Sequence, residues 1–347
     1  MPARRLAWIV ALAGWIGGLG VIALSLTLPA LARLAIVQWS PWLVGLFVLG
    51  IPHGAFDHRV GIELSSIGAN RPARASGPLF YASYLMAAIL VVALWFVSPI
   101  MASAGFLAIA ALHFGQGDLY WSRRFGLASW SGSLGYRASL LAARSALPIA
   151  LPILAFPGEL SGAADVLATR LFGRSSWSIS PEAIEVGRII LALVVATQVA
   201  WASWLGLRGD RPTRLAAGGE IAETLLLVAL FIEVPPVLAL GVYFQVWHSA
   251  RHVVRLLLVA SSTRKLLGEG RLLGALGEFQ KRSLPMTCGA FALMIALGLI
   301  VGRSLVSVVD LGLVALVALS ALTLPHFLVV AWMDARQGVW SSRPDPG

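Results

Sequence analysis

The chain has 347 residues, of which 58% are hydrophobic and only 12% charged, where an ordinary soluble domain carries about 25% charged residues. With a mean hydropathy of +0.83, too few polar side chains exist to cover a water-facing surface, and a single soluble core is excluded. The net charge of +10 is spread over short segments between apolar runs, a distribution that argues for topology and anionic lipid headgroups and against nucleic acid.

A membrane-spanning helix needs about 20 mostly apolar residues. By that criterion the spans are predicted, in chain order, at residues 7–28, 31–53, 79–98, 100–121, 137–156, 184–206, 218–234, 236–258, 285–302 and 306–333. The fold class is therefore all-α: a polytopic transmembrane bundle of about ten spans, forming a single integral membrane domain over 1–347. Pro99, Pro235 with Pro236, and Pro285 are expected at turns or helix starts, where a missing N–H does least harm. The pairs that meet at Pro99 and at Pro235 should be tight helical hairpins. The longer polar stretches, 157–183 and 259–284, suit short interfacial helices. Cys288, the only cysteine, excludes an intrachain disulfide and a thiolate cluster, and its apolar surroundings suit a packing role.

Basic residues orient the bundle. With the N-terminus inside, the inner segments carry 18 Lys and Arg (Arg4, Arg5, Arg59, Arg71, Arg74 and Arg123 among them), against five outside: Arg33, Arg170, Arg174, Arg188 and Arg303. Both termini are thus expected in the cytoplasm, with the protein in the inner (plasma) membrane. Arg4, Arg5 and the apolar stretch ending at Ala32 also fit a cleaved signal peptide. That stretch is longer than a signal core and another span follows at once, so an uncleaved first helix is the better reading.

Six histidines are present. In this topology His53, His113, His248, His252 and His326 all fall in the cytoplasmic half of the bilayer. His248 and His252 are four residues apart, so on a helix their rings share one face about 6 Å apart along the axis. Such a pair can chelate one metal. No Glu lies between them, so zinc-protease chemistry has no support. His53 and His113 are natural suppliers of two further imidazoles. A lone membrane histidine usually just bonds a neighbouring helix, but five at one depth are hard to treat as separate accidents, and ionisable groups in lipid mark function. His58, beside Arg59, reads as a headgroup-level residue at the start of a cytoplasmic loop.

Asp57 and Asp118 follow His53 and His113. They suit either helix capping or a role behind the ligands, offsetting the ion's charge and orienting imidazoles through their free N–H groups. Arg251 lies close enough to pair with one of them, and Arg144 either pairs elsewhere or snorkels. The aromatic residues Phe56, Phe114, Trp121, Tyr243, Phe244, Trp247 and Phe327 lie near the histidines, and Tyr243 and Trp247 lean towards lining a pocket.

Four motifs, PHGAFD (Pro52 to Asp57), HFGQGD (His113 to Asp118), WHSARH (Trp247 to His252) and LPHFL (Leu324 to Leu328), together resemble the Brp/Blh family of membrane β-carotene 15,15′-dioxygenases. The resemblance runs from about residue 45 to 335. It implies an Fe(2+) enzyme that splits the central double bond of β-carotene, or a related carotenoid drawn from the bilayer, with O₂ to give two retinal molecules. It makes His53, His113, His248 and His252 the metal ligands. His326 becomes a pocket residue or one that supports the ligands, a role shared with Asp57, Asp118, Tyr243 and Trp247. Imidazoles alone would suit zinc or copper equally well, so iron comes from the resemblance. Two rival readings are a membrane metal-ion or proton transporter and a haem-b electron carrier. Against the former, no Asp or Glu stands in mid-span along an evident path.

Overall fold

The computed structural model describes residues 3–66, 77–127, 133–159, 161–162, 169, 179–301 and 308–341. Regular structure among the described residues is helical throughout, without a strand. Lipid offers no partner to a backbone N–H or C=O, and a helix satisfies both within one segment.

Among the described residues, eight helices are long and apolar enough to cross a membrane. They are α1 (Ala3–Thr27), α2 (Ala35–Leu64), α3 (Pro78–Val97), α4 (Pro99–Phe125), α7 (Pro181–Arg208), α8 (Arg211–Glu233), α12 (Leu272–Val301) and α13 (Val308–Arg336). The two other predicted spans are helical but interrupted. Residues 137–156 divide into α5 (Leu134–Ala146) and α6 (Ala150–Ala155). Residues 236–258 become α9 (Pro236–Val242), a π-helical turn (Tyr243–Ser249) and α10 (Ala250–Val259). This segment carries four of the chain's basic or histidine side chains and buries all four, so its environment is protein and not lipid. The polar stretch 259–284 contains α11 (Ser261–Gly268) and the first turns of α12. Most of 157–183 lies outside the described residues, as do Arg71, Arg74, Arg170, Arg174, Arg303 and Arg343.

Prolines open α3, α4, α7 and α9, where the missing N–H has no helical partner anyway. Pro285 departs from expectation: it lies inside α12, which continues through it for a further 16 residues to Val301. Neighbouring helices tolerate the one lost hydrogen bond. Between α7 and α8, Asp210 caps α8 by accepting from Thr213 N–H at 3.0 Å and from the Thr213 hydroxyl. That hydroxyl and N–H hold its carboxyl below the usual carboxylate range.

Packing brings α2, α4, α9–α10 and α13 around one centre. α3 lies on α13, α12 on α2, and α5 on α4. A second π turn, Leu46–Gly50, interrupts α2 just before His53; π turns are rare and concentrate at functional sites. The two π turns interlock. A Cβ on Gly45 would stand 1.7 Å from the Gln245 side-chain carbonyl carbon, so only glycine permits this approach. Large apolar side chains such as Leu12, Ile16, Leu85, Ile89, Leu193 and Ile295 remain exposed on the outer helices, as lipid-facing surfaces require.

Candidate metal centre

Four separate helical segments deliver five imidazoles to one place. His53 comes from α2, His113 from α4, His248 and His252 from the π turn and α10, and His326 from α13, immediately after Pro325. All five are buried. Their ring centroids stand 4.7 Å apart for His113–His248 and His113–His326, 5.0 Å for His53–His326, and 5.4 Å for His53–His252 and His252–His326. The His248 and His252 rings lie nearly parallel at 6.3 Å, as the four-residue helical spacing requires. One ring nitrogen from each of His53, His113 and His326 lies within 4.8 Å of the other two, close enough to share an ion.

Hydrogen bonds fix how these rings are presented. His53 Nδ1 stands 3.1 Å from the Leu49 carbonyl, which can only accept. The proton is therefore on Nδ1, and the Nε2 lone pair is free. His326 Nδ1 likewise faces both oxygens of Asp57, at 3.0 and 2.9 Å. His113 Nε2 and His248 Nε2 oppose each other at 3.1 Å. Two nitrogens bound to one ion at about 2.0–2.1 Å and at right angles would stand roughly 3 Å apart. His252 Nε2 and His326 Nε2 are buried without a partner. Unmet imidazole nitrogens at one point would be costly for a merely structural cluster, and a cation answers both. A porphyrin has no room between rings this close, which removes the haem reading.

An apolar cavity adjoins three of the five rings. His53, His113 and His326 form one part of its wall, and Phe106, Phe114, Phe244, Met286 and Leu322 supply much of the rest. Phe114 meets the His248 ring edge-on at 4.7 Å, and Phe244 lies parallel to that ring at 6.0 Å. The other polar side chains of the wall are internally satisfied: Trp42 donates to the Val237 carbonyl, Thr323 to the Leu319 carbonyl and Tyr84 to Asp57.

The other side of the cluster is charged. Asp118 accepts from Arg251 at 3.1 Å and from the Trp247 indole at 3.2 Å, and lies 3.7 Å from Arg144. Arg144 also reaches Glu220 and Glu223, both at 3.5 Å, and Arg251 reaches Glu223 at 2.7 Å. Arg251 further stacks on Trp247 and Trp121, at 4.0 and 4.9 Å. Asp118 thus ties α4 to α10 and contacts no histidine. Arg144 pairs inside the bundle and does not snorkel.

Several sequence expectations need correction here. Tyr243 and Trp247 do not line the cavity; they pack behind the cluster, Tyr243 against Phe114 and Phe231 and Trp247 on Asp118. Phe56 stacks on Phe279 in the core and Trp121 lies against Phe125. Phe327 is absent from the cavity wall. His58 is buried in the helical continuation of α2, with Nδ1 on the Ala55 carbonyl, and not at the start of a loop. Buried carboxylates do exist within the bundle, but Asp118, Glu220 and Glu223 are gathered on two arginines, which is unlike a conduction path.

Sequence reasoning missed Tyr84, Glu220 and Glu223. Glu220, Glu223 and Thr224 share one helical face, a signal that the apolar run following them obscured. Nothing local marks Tyr84, since a tyrosine near a span end is normally an interfacial anchor.

Fold and site define a class: a polytopic helical membrane protein with a buried polyhistidine centre beside a hydrocarbon-like cavity. The sequence profile of the family described as beta-carotene 15,15'-dioxygenase matches residues 44–334, and the chain belongs to this family. It is 35% identical to a protein of Halobacterium salinarum named probable beta-carotene 15,15'-dioxygenase Blh, over 92% of both chains. It is 28% identical to another from that organism, named probable beta-carotene 15,15'-dioxygenase Brp, over 88% of this chain and 86% of the relative. No solved structure matches it. Family and buried histidines together point to a metal cofactor.

Proposed function

We propose that this protein is an iron(II)-dependent dioxygenase that cleaves the central 15,15′ double bond of all-trans-β-carotene with O₂, giving two molecules of all-trans-retinal. The observation that carries the reading is a convergent set of buried imidazoles in the wall of an apolar cavity, in a chain of this family. His53, His113, His248 and His252 would hold the iron. The donor set fits: neutral nitrogens suit a divalent first-row metal, and His252 Nε2 lacks any other partner. Bound iron(II) supplies the redox chemistry that lets O₂ react with a closed-shell polyene.

The protein's part is to hold, orient and exclude. Leu49 and Asp57 fix the tautomers of His53 and His326, so that neither ring need reorganise. A hydrocarbon has nothing to hydrogen-bond, so recognition rests on shape. The cavity suits this: its wall is aromatic and aliphatic, and the hydrogens of Trp42, Tyr84 and Thr323 are already committed elsewhere. Phe114 and Phe244 place aromatic surface beside the histidines in that wall. The bilayer already dissolves carotene, so delivery avoids transfer through water. The excess of basic residues on inner segments supports a plasma-membrane location with both termini cytoplasmic.

Expression in a β-carotene-producing bacterium tests the proposal. Orange colour should fade as retinal accumulates. Unchanged carotene alongside protein that contains iron would refute this substrate.

A further inference from the structure

His326 stands out among the five imidazoles. Its ring lies within 5.4 Å of three others, His53, His113 and His252. It belongs to the three residues whose nitrogens lie closest together, a group that includes neither His248 nor His252. Both oxygens of Asp57 take its Nδ1–H, leaving Nε2 as a lone pair, and that Nε2 is buried without a partner. His53 is presented in the same way, with Nδ1 on a carbonyl and Nε2 free.

We infer that His326 is itself a metal ligand, its ring set by Asp57, so that the centre is built from five imidazoles. This deepens the proposed metal-enzyme reading and rests on its metal centre, not on its substrate. A buried acceptor left unmatched costs about 1–3 kcal/mol, and a cation shared with His53 and His113 relieves that penalty. Asp57 is 1% exposed, and an unbalanced carboxylate there would be costly. A cation one imidazole away offsets its charge, the carboxylate–histidine–metal arrangement that recurs in metalloproteins. Tyr84 donates to Asp57 Oδ2 at 3.2 Å and holds the carboxylate towards the ring. His58 provides the contrast. It is also buried and has Nδ1 on a carbonyl, but its ring lies against Tyr81 at 6.4 Å, outside the cluster.

The test is cobalt(II) binding by the full-length protein in detergent, followed by affinity and by the visible ligand-field bands, which report the donors directly. His326→Ala should weaken cobalt binding and change the bands. Asp57→Asn should weaken binding roughly 10–100-fold, and His58→Gln should leave affinity and bands unchanged. Wild-type affinity and bands in His326→Ala would overturn the inference. If that variant does not fold, as judged by size-exclusion chromatography, Asp57→Asn decides, and wild-type affinity there overturns it equally. A wild-type protein that binds metal through these residues but leaves β-carotene intact would refute the proposed substrate and leave this inference standing.

Discussion

The two sides of the histidine cluster differ in kind. On one side His53, His113 and His326 face a cavity whose remaining wall is aliphatic and aromatic. On the other, three carboxylates and two arginines interlock behind His248, with Trp247 and Trp121 covering Arg251. The first side suits an apolar guest and brings no charge of its own beyond the histidines. The second holds α4, α5, α8 and α10 together at the depth where the rings must meet. Charge in a membrane interior is tolerable only when paired, and here the pairing also sets helix positions. The two tasks, admitting a hydrocarbon and fixing the metal ligands, are thereby divided between opposite sides of one centre.

That division can be broken most sharply from the charged side. Arg144 is 1% exposed and serves Asp118, Glu220 and Glu223. Arg144→Ala should destabilise the protein by about 3–5 kcal/mol, read as a large fall in thermal unfolding temperature in detergent, together with loss of bound metal. An unchanged unfolding temperature would mean that the network is incidental. From the cavity side, Ala290 is a small wall residue. Ala290→Phe should fill space, with an overpacking penalty of about 1–3 kcal/mol felt mainly by the guest. Carotene turnover, as kcat/KM, should then fall roughly tenfold or more while iron content per chain stays constant. Iron loss in that variant would show that the two sides are not independent. The smallest effect is expected far from both. Arg33 and Glu159 form an exposed pair at 3.0 Å, so Arg33→Ala should change stability by less than about 1 kcal/mol and leave turnover alone. A larger shift would show that exposed pairs matter here as much as buried ones.

Much of the bundle was legible because lipid imposes a local rule: each apolar run of sufficient length becomes a helix, whatever its neighbours do. The rule faltered at 137–156, which divides around residues 147–149, and at 236–258, where a π turn and buried arginines replace a plain span. It faltered again at Pro285, where helical packing carries the chain past a residue that looks like a start. The histidines were legible because they are expensive in such surroundings and share a depth. Their partners were not. Asp57 bonds a ring 269 residues away and Asp118 an arginine 133 residues away, and from sequence the two acids looked alike. In space Asp57 serves an imidazole and Asp118 serves helix packing.

What the amino-acid order determined unaided was therefore everything set by solvent and by helical spacing: the membrane, the helices, and the His248–His252 pair on one face. Only tertiary structure decided that His326 stands inside the cluster, that Tyr243 and Trp247 lie behind it, and on which side the cavity opens. The reason is physical. Hydropathy and periodicity act within a segment, whereas the angle at which one helix meets another depends on side chains from distant parts of the chain packing at the same moment.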